Sequence, residues 1–219
     1  MRYLMSVAGV ALLTLLGLTG LAKPADALVT EGLYGYAVTG STYTSSNADW
    51  VMAALPCTTA TSGTFISLWT GLDGYSSPTT EQIGVTAECT AGKTTYTGFY
   101  DLYPDAPVDF SNTVKPGDQL DASVSYSGSS FTLKLSDVTE GWTKTVVKAL
   151  AGADRSSAET FVEAPSNLSC SPTVTLAAFT GDTVDGTALG SLSPIKVTGT
   201  NPHIVVSAVS GETFNVSCT

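Results

Sequence analysis

The sequence predicts an all-β protein, an antiparallel two-sheet β-sandwich, on three observations. Helical periodicity is almost absent, short runs rich in Val, Thr, Tyr, Phe and Ile recur, and Gly, Ser, Asn, Asp and Pro separate them. In chain order the runs place strands at 65–69, 82–87, 94–103, 119–126, 130–136, 144–149, 159–162, 174–179, 195–198 and 204–209. Each pairs β-branched or aromatic residues with turn chemistry at its ends. Lys115-Pro116-Gly117-Asp118 is the strongest turn, since proline presets φ at the first central position and glycine accepts positive φ at the next. The Ser/Thr-rich stretch from Gly40 to Asn47 reads as a hairpin loop. So many short strands at turn-separated intervals fit a sandwich or barrel rather than parallel βαβ units. Without a low-complexity linker or internal repeat, one domain is expected from residue 28 to residue 219.

Residues 1–27 are expected to be a secretory signal peptide. Met1-Arg2 precedes an apolar run from Val7 to Leu21, and Ala25-Asp26-Ala27 has the small-x-small form that signal peptidase accepts. Glycines and threonines break the run, which is shorter than the roughly 20 residues that span a bilayer. Cleavage after Ala27 leaves about 190 residues, enough for a sizeable core. Secretion, with no stable membrane association afterwards, is the expected fate.

The chain carries 9 Lys and Arg against 19 Asp and Glu, a formal charge of −10. Loss of Arg2, Lys23 and Asp26 with the signal takes this to −11. So few cations cannot neutralise a phosphate backbone, which argues against nucleic acid and anionic membranes as partners. A chain that approaches neutrality only in acid is also suited to low pH.

Cys57, Cys89, Cys170 and Cys218 form an even set without a Cys-x-x-Cys pair, which in an exported chain points to disulfides. Three pairings are possible. The early and late pairs flank distinct regions, favouring Cys57 with Cys89 and Cys170 with Cys218. The single histidine, His203, lacks the context of a Ser-His-Asp triad. Asp182 to Gly186 lacks the spacing of a calcium loop and reads as a hairpin loop. No metal and no cofactor is expected, and paired Asp-Thr/Ser-Gly motifs are missing. Asn167-Leu168-Ser169 and Asn215-Val216-Ser217 match the glycosylation acceptor pattern, which matters only in a host that glycosylates.

Carboxyl chemistry remains. Glu81-Gln82-Ile83-Gly84-Val85 and Ser157 to Pro165 place amides and carboxyls on strand-like stretches. A carboxylate can take a proton from water attacking a peptide carbonyl and return it to the leaving amine. A neutral amide can stabilise the resulting oxyanion at any pH.

Six motifs follow one another in order: Tyr34-Gly35-Tyr36; Trp50-Val51 leading to Pro56; Leu68-Trp69-Thr70-Gly71-Leu72-Asp73-Gly74; Glu81-Gln82-Ile83-Gly84-Val85; Phe99 to Pro104; and Ala158 to Glu163 after Val114 to Asp118. In this order they resemble the glutamic peptidases, or eqolisins, a family of acid endopeptidases. The resemblance spans most of the chain beyond the signal. It implies a concanavalin-like sandwich of jelly-roll type, polypeptide substrates, Glu163 as general acid/base and Gln82 as oxyanion donor. It makes Trp69, Asp73, Asp101 and Tyr103 candidate substrate contacts, with Asp73 equally able to serve only the Leu72-Asp73-Gly74 turn. The pair Gln82 and Glu163 is expected to face one groove within one water of each other. Departures from the family pattern are Thr160 for an aromatic, Asp101 for a glutamate, Leu102 for a tryptophan, and Thr86 where fungal members often carry aspartate. The short span from Ala27 to Tyr34 leaves no room for a long prosegment, and a monomer is expected. The competing reading is a noncatalytic β-sandwich that binds a glycan or protein, since fold alone does not fix function.

Overall fold

The computed structural model describes residues 28–29, 32–169 and 174–219. The proposed signal at 1–27 lies outside them, as does Cys170. The first eight strands are β1 (Leu28–Val29), β2 (Leu33–Thr39), β3 (Ser45–Val51), β4 (Phe65–Leu72), β5 (Thr80–Thr90), β6 (Lys93–Tyr103), β7 (Val108–Thr113) and β8 (Gln119–Ser127). The others are β9 (Ser130–Asp137), β10 (Trp142–Lys148), β11 (Ser157–Glu163), β12 (Thr175–Val184), β13 (Thr187–Ala188), β14 (Ile195–Thr198), β15 (Ile204–Val206) and β16 (Phe214–Cys218). Two single 3-10 turns are the only helical pieces among the described residues.

One sheet runs β1-β14-β2-β11-β4-β5-β6-β7, and the other β10-β9-β8-β3-β12-β16-β15 with β13 on β12. All pairings are antiparallel except β1 with β14. This is the expected sandwich. Its main core lies between the sheets, where Trp50, Phe131, Phe179, Leu68, Leu120 and Leu133 are almost completely buried. Alternation explains it: on β8 the residues Leu120, Ala122 and Val124 face inward, while Asp121 and Ser123 face out.

The Gly40 to Asn47 reading needs correction. Ser45, Ser46 and Asn47 begin β3, and β2 and β3 belong to different sheets, so the stretch is a crossover rather than a hairpin loop. Its polar residues are explained by Asp185, whose Oδ1 accepts from Thr44 N at 2.9 Å, Thr44 Oγ1 at 2.7 Å and Ser45 N at 2.8 Å. The same Asp185 begins the two-residue turn of a β12–β13 hairpin in which Val184 pairs with Thr187. Asp182 and Thr183, read as loop, belong to β12. Strands β1, β2, β3, β7, β13 and β16 were not among the expected ones; β1 and β13 are two residues each, Gly35 interrupts β2, and polar residues dilute β3, β7 and β16.

Cys57 is bonded to Cys89, closing 32 residues around the β4–β5 hairpin. The second expected pairing involves Cys170 and so falls outside the described residues.

Candidate active site

Strands β11, β4, β5 and β6 are neighbours, and their register fixes which side chains share a face. One cross-strand row contains Phe161, Trp69, Gly84 and Phe99. Two residues along the strands in one direction lies the row Glu159, Gly71, Gln82 and Asp101; two residues in the other lies Glu163, Ser67, Thr86 and Thr97. With a side-chain period of two, all three rows point to the same face. It is the face turned away from the other sheet, because the intervening Leu68, Ile83, Val85, Leu102 and Val162 belong to the main core.

Trp69, Phe99 and Phe161, with Ala37 and Val197, form a second apolar cluster that is separate from the main core. The Trp69 and Phe161 rings meet edge-on at 5.3 Å. Gly84 lies between Trp69 and Phe99, and a Cβ there would sit 2.0 Å from Leu68 O and 2.7 Å from Trp69 Cβ. Only glycine lets β4 and β5 approach beside the indole.

Glu163 and Gln82 therefore share a face, but they are not side by side. Glu163 pairs with Ser67 and Gln82 with Gly71, so the two lie on opposite sides of β4 with Trp69 at the midpoint of the diagonal. Flat-sheet spacings put their Cα atoms roughly 16 Å apart.

Glu163 is half-buried, and burial pushes its carboxyl above the usual range, with the charge of Asp101 acting the same way. Gln82 Nε2 donates to Asp101 Oδ2 at 3.1 Å. Gln82 Oε1 and Asp101 Oδ1 are buried with no hydrogen-bond partner. Burial raises the Asp101 carboxyl first, the charge of Asp105 adds to this, and the Gln82 hydrogen bond opposes it.

Of the expected substrate contacts, Trp69 forms the floor and Tyr103 stands at the end of the same face, more than a third exposed. Asp73 is different: it is fully buried and cannot touch a substrate from where it lies. At φ 64° it turns the chain after β4, and its carboxylate accepts from Arg155 N at 2.6 Å, Ser156 N at 2.7 Å and Ser156 Oγ at 3.0 Å. Its role is to pin the β4–β5 turn to the start of β11.

The sequence motifs single out Gln82 and Glu163 rather than Glu81 and Glu159 beside them, and the structure makes both of the latter unusual. Glu159 is on the site face in the Gln82 row, its Oε1 accepting from Gly74 N at 2.7 Å while Oε2 is buried without a partner. Burial, with the charge of Asp73 adding to it, pushes its carboxyl up to about 8. Glu81, on the opposite face, is buried with neither oxygen hydrogen-bonded, and burial followed by the charges of Asp73 and Glu159 pushes it up to about 8. In the sequence each is one polar residue among several on its strand, beside Gln82 and Thr86 on β5 and beside Ser157, Thr160 and Glu163 on β11, so nothing local marks it out.

The departures from the family pattern divide by face. Thr160 and Leu102 point into the core, where Thr160 Oγ1 lies 3.1 Å from Thr70 Oγ1 and Thr70 Oγ1 is 2.7 Å from Ser46 Oγ. Hydroxyls there replace apolar bulk without reaching the groove. Asp101 and Thr86 are on the site face, and Thr86 Oγ1 is 2.9 Å from Ser67 Oγ in the Glu163 row. No group of three or more His, Cys, Asp or Glu among the described residues is arranged to hold a metal.

Comparison with solved structures finds the same fold. Scytalido-glutamic peptidase bound to a transition-state analog inhibitor matches with a TM-score of 0.72 and 22% identity, over 88% of this chain and 100% of that one. SCP-B, described as a member of the eqolisin family in complex with the tripeptide Ala-Ile-His, gives 0.65 and 21% over 88% and 100%. Aspergilloglutamic peptidase from Aspergillus niger gives 0.59 and 24% over 71% and 99%. No curated protein matches the sequence. The model of the Peptidase A4 family matches residues 31–218, so the chain belongs to that family of glutamic-type peptide hydrolases.

Proposed function

We propose that the chain is a secreted acid endopeptidase in which Glu163 activates water and Gln82 stabilises the oxyanion. The observation that carries this reading is the placement of both on one face of the sheet, on either side of the buried Trp69. A peptide laid along this face presents its carbonyl above the indole. The ionised Glu163 takes a proton from water as the water oxygen bonds to the carbonyl carbon, and the former carbonyl oxygen becomes an oxyanion. Gln82 N–H donates to that oxyanion. Glu163 then gives the proton to the amide nitrogen, the C–N bond breaks, and an acid and an amine leave.

Export is supported by the Ala25-Asp26-Ala27 cleavage pattern and by the Cys57–Cys89 disulfide. Activity in acid is supported by the Asp101, Glu159 and Glu163 carboxyls on the site face, each held above its ordinary value by burial first. The test is hydrolysis of a denatured protein by the mature chain from acid to neutral pH. Glu163→Gln is expected to lower kcat by about 10²–10⁴-fold, and Gln82→Ala by about 10²–10³-fold. Full activity in both variants, or no cleavage by the parent at any pH, overturns the reading.

A further inference from the structure

The hydrogen bond from Gln82 to Asp101 presents the amide the wrong way for the role just given to it. Nε2, the donor an oxyanion needs, is held by Asp101 Oδ2 at 3.1 Å on the side away from Glu163. The amide oxygen is left buried without a donor, and so is the other carboxyl oxygen of Asp101. One proton supplies the donor that the amide oxygen lacks: an Asp101 hydroxyl can donate to Gln82 Oε1, which turns the amide over.

We propose that Asp101 is a positioning residue that sets which end of the Gln82 amide faces the substrate. Protonated, it donates to Oε1 and leaves the Nε2 hydrogens for the carbonyl oxygen above Trp69. Ionised, it takes Nε2 for itself. The inference rests on the reading of Glu163 and Gln82 given above and deepens it.

The surroundings restrict Gln82 to this one lateral partner. On its β4 side lies Gly71, where a Cβ would be 2.7 Å from Glu81 O and 3.2 Å from Gln82 Cβ, so no side chain occupies that position. Asp101 itself is 8% exposed and directly opposite Gln82 in the β5–β6 register. The titratable groups around Asp101 are Glu163 of β11 across the floor, Glu159 of β11 at the far end of the row, Asp105 of the following loop and Tyr103 of its own strand. On β7 the nearest acid in register is Asp109, opposite Phe99. Among the described residues these are all acids or a phenol, and none supplies the cation that would favour an ionised Asp101. Burial acts in the same direction. The charge of Asp101 also raises the Glu163 carboxyl, and the proposal requires the proton on Asp101 and the charge on Glu163.

The experiment compares kcat and KM against pH for the mature parent, Asp101→Asn, Asp101→Ala and Glu163→Gln, over the range in which near-UV circular dichroism shows each folded. Asn carries a donor for Oε1 at every pH. Asp101→Asn is therefore expected to keep kcat within about threefold at the optimum and KM within about twofold, while the alkaline limb of kcat moves up by one pH unit or more. Its acid limb stays in place, because Asp101 is already neutral where Glu163 takes up its proton. Asp101→Ala is expected to lose kcat tenfold or more at all pH values. A parent-like alkaline limb in Asp101→Asn overturns the inference, as does a raised KM at unchanged kcat, the mark of a substrate contact, or inactivity in the folded variant. If Asp101→Asn does not fold, the side-chain amide resonances of Gln82 in the Glu163→Gln variant decide: they must shift with a single titration, and invariance overturns the proposal. Glu163→Gln separates the two levels, since full activity there sinks the catalytic reading itself, whatever Asp101→Asn does.

Discussion

Raising the pH from 5 to 6.5 should unfold this protein progressively, and the buried acids set the amount. Glu81 and Glu159 are held up to about 8 and Asp182 up to about 7, in each case by burial first. Both oxygens of Glu81 and Asp182, and Oε2 of Glu159, are buried without a hydrogen-bond partner. Each folded value lies above that of the unfolded chain. All three carboxyls are therefore neutral in both states well below pH 4, and this stability is lost as pH climbs towards the folded values. Between about pH 5 and 6.5 the unfolded chain binds three fewer protons than the folded one, so the free energy of unfolding falls by about 4 kcal/mol per pH unit. Over that span the loss is about 6 kcal/mol, comparable with the 5–15 kcal/mol that typically holds a domain together. Urea denaturation followed by tryptophan fluorescence at several pH values measures it. Glu159→Gln and Asp182→Asn should each make the slope shallower by about 1.4 kcal/mol per pH unit. Stability that is flat or rising over this range, or an unchanged slope in both variants, refutes the argument.

Three further outcomes follow from packing and cross-linking. Replacing Cys57 and Cys89 by serine opens a 32-residue loop and should cost about 4 kcal/mol, read as a lower urea midpoint. Gly84→Ala would force a Cβ to within 2.0 Å of Leu68 O, so a loss of about 3 kcal/mol and a displaced Trp69 emission are expected; a parent-like melting temperature contradicts the contact. Asp73→Ala leaves the backbone N–H groups of Arg155 and Ser156 without their acceptor, at about 3 kcal/mol. In that variant KM should change less than stability does, because Asp73 is buried behind the turn.

The sandwich was legible because the strands that build it alternate cleanly, as in Leu120, Ala122 and Val124, and because Ile195 to Thr198 is bounded by a proline and a glycine. β3 was not, since Ser45, Ser46 and Asn47 look like a loop until Asp185, 140 residues away, supplies the acceptor for the Ser45 amide. Gln82, Glu163 and Trp69 could be picked out by motif order, but their diagonal relation could not. It depends on register across three strands, which a one-residue slip would send to the opposite face. Asp73 was ambiguous for a related reason. A carboxylate in a turn looks the same whether it meets a substrate or the backbone of a segment more than eighty residues on.

The small apolar cluster of Trp69, Phe99, Phe161, Ala37 and Val197 shares no member with the core between the sheets. Evolution, or an engineer, can thus recut the groove and the scaffold as two separate problems. Exchanging Phe99 for a larger or smaller ring would redraw which residues a substrate can seat, while the sheets behind it stay fastened by their own contacts. Divergence in diet need not be bought with divergence in fold.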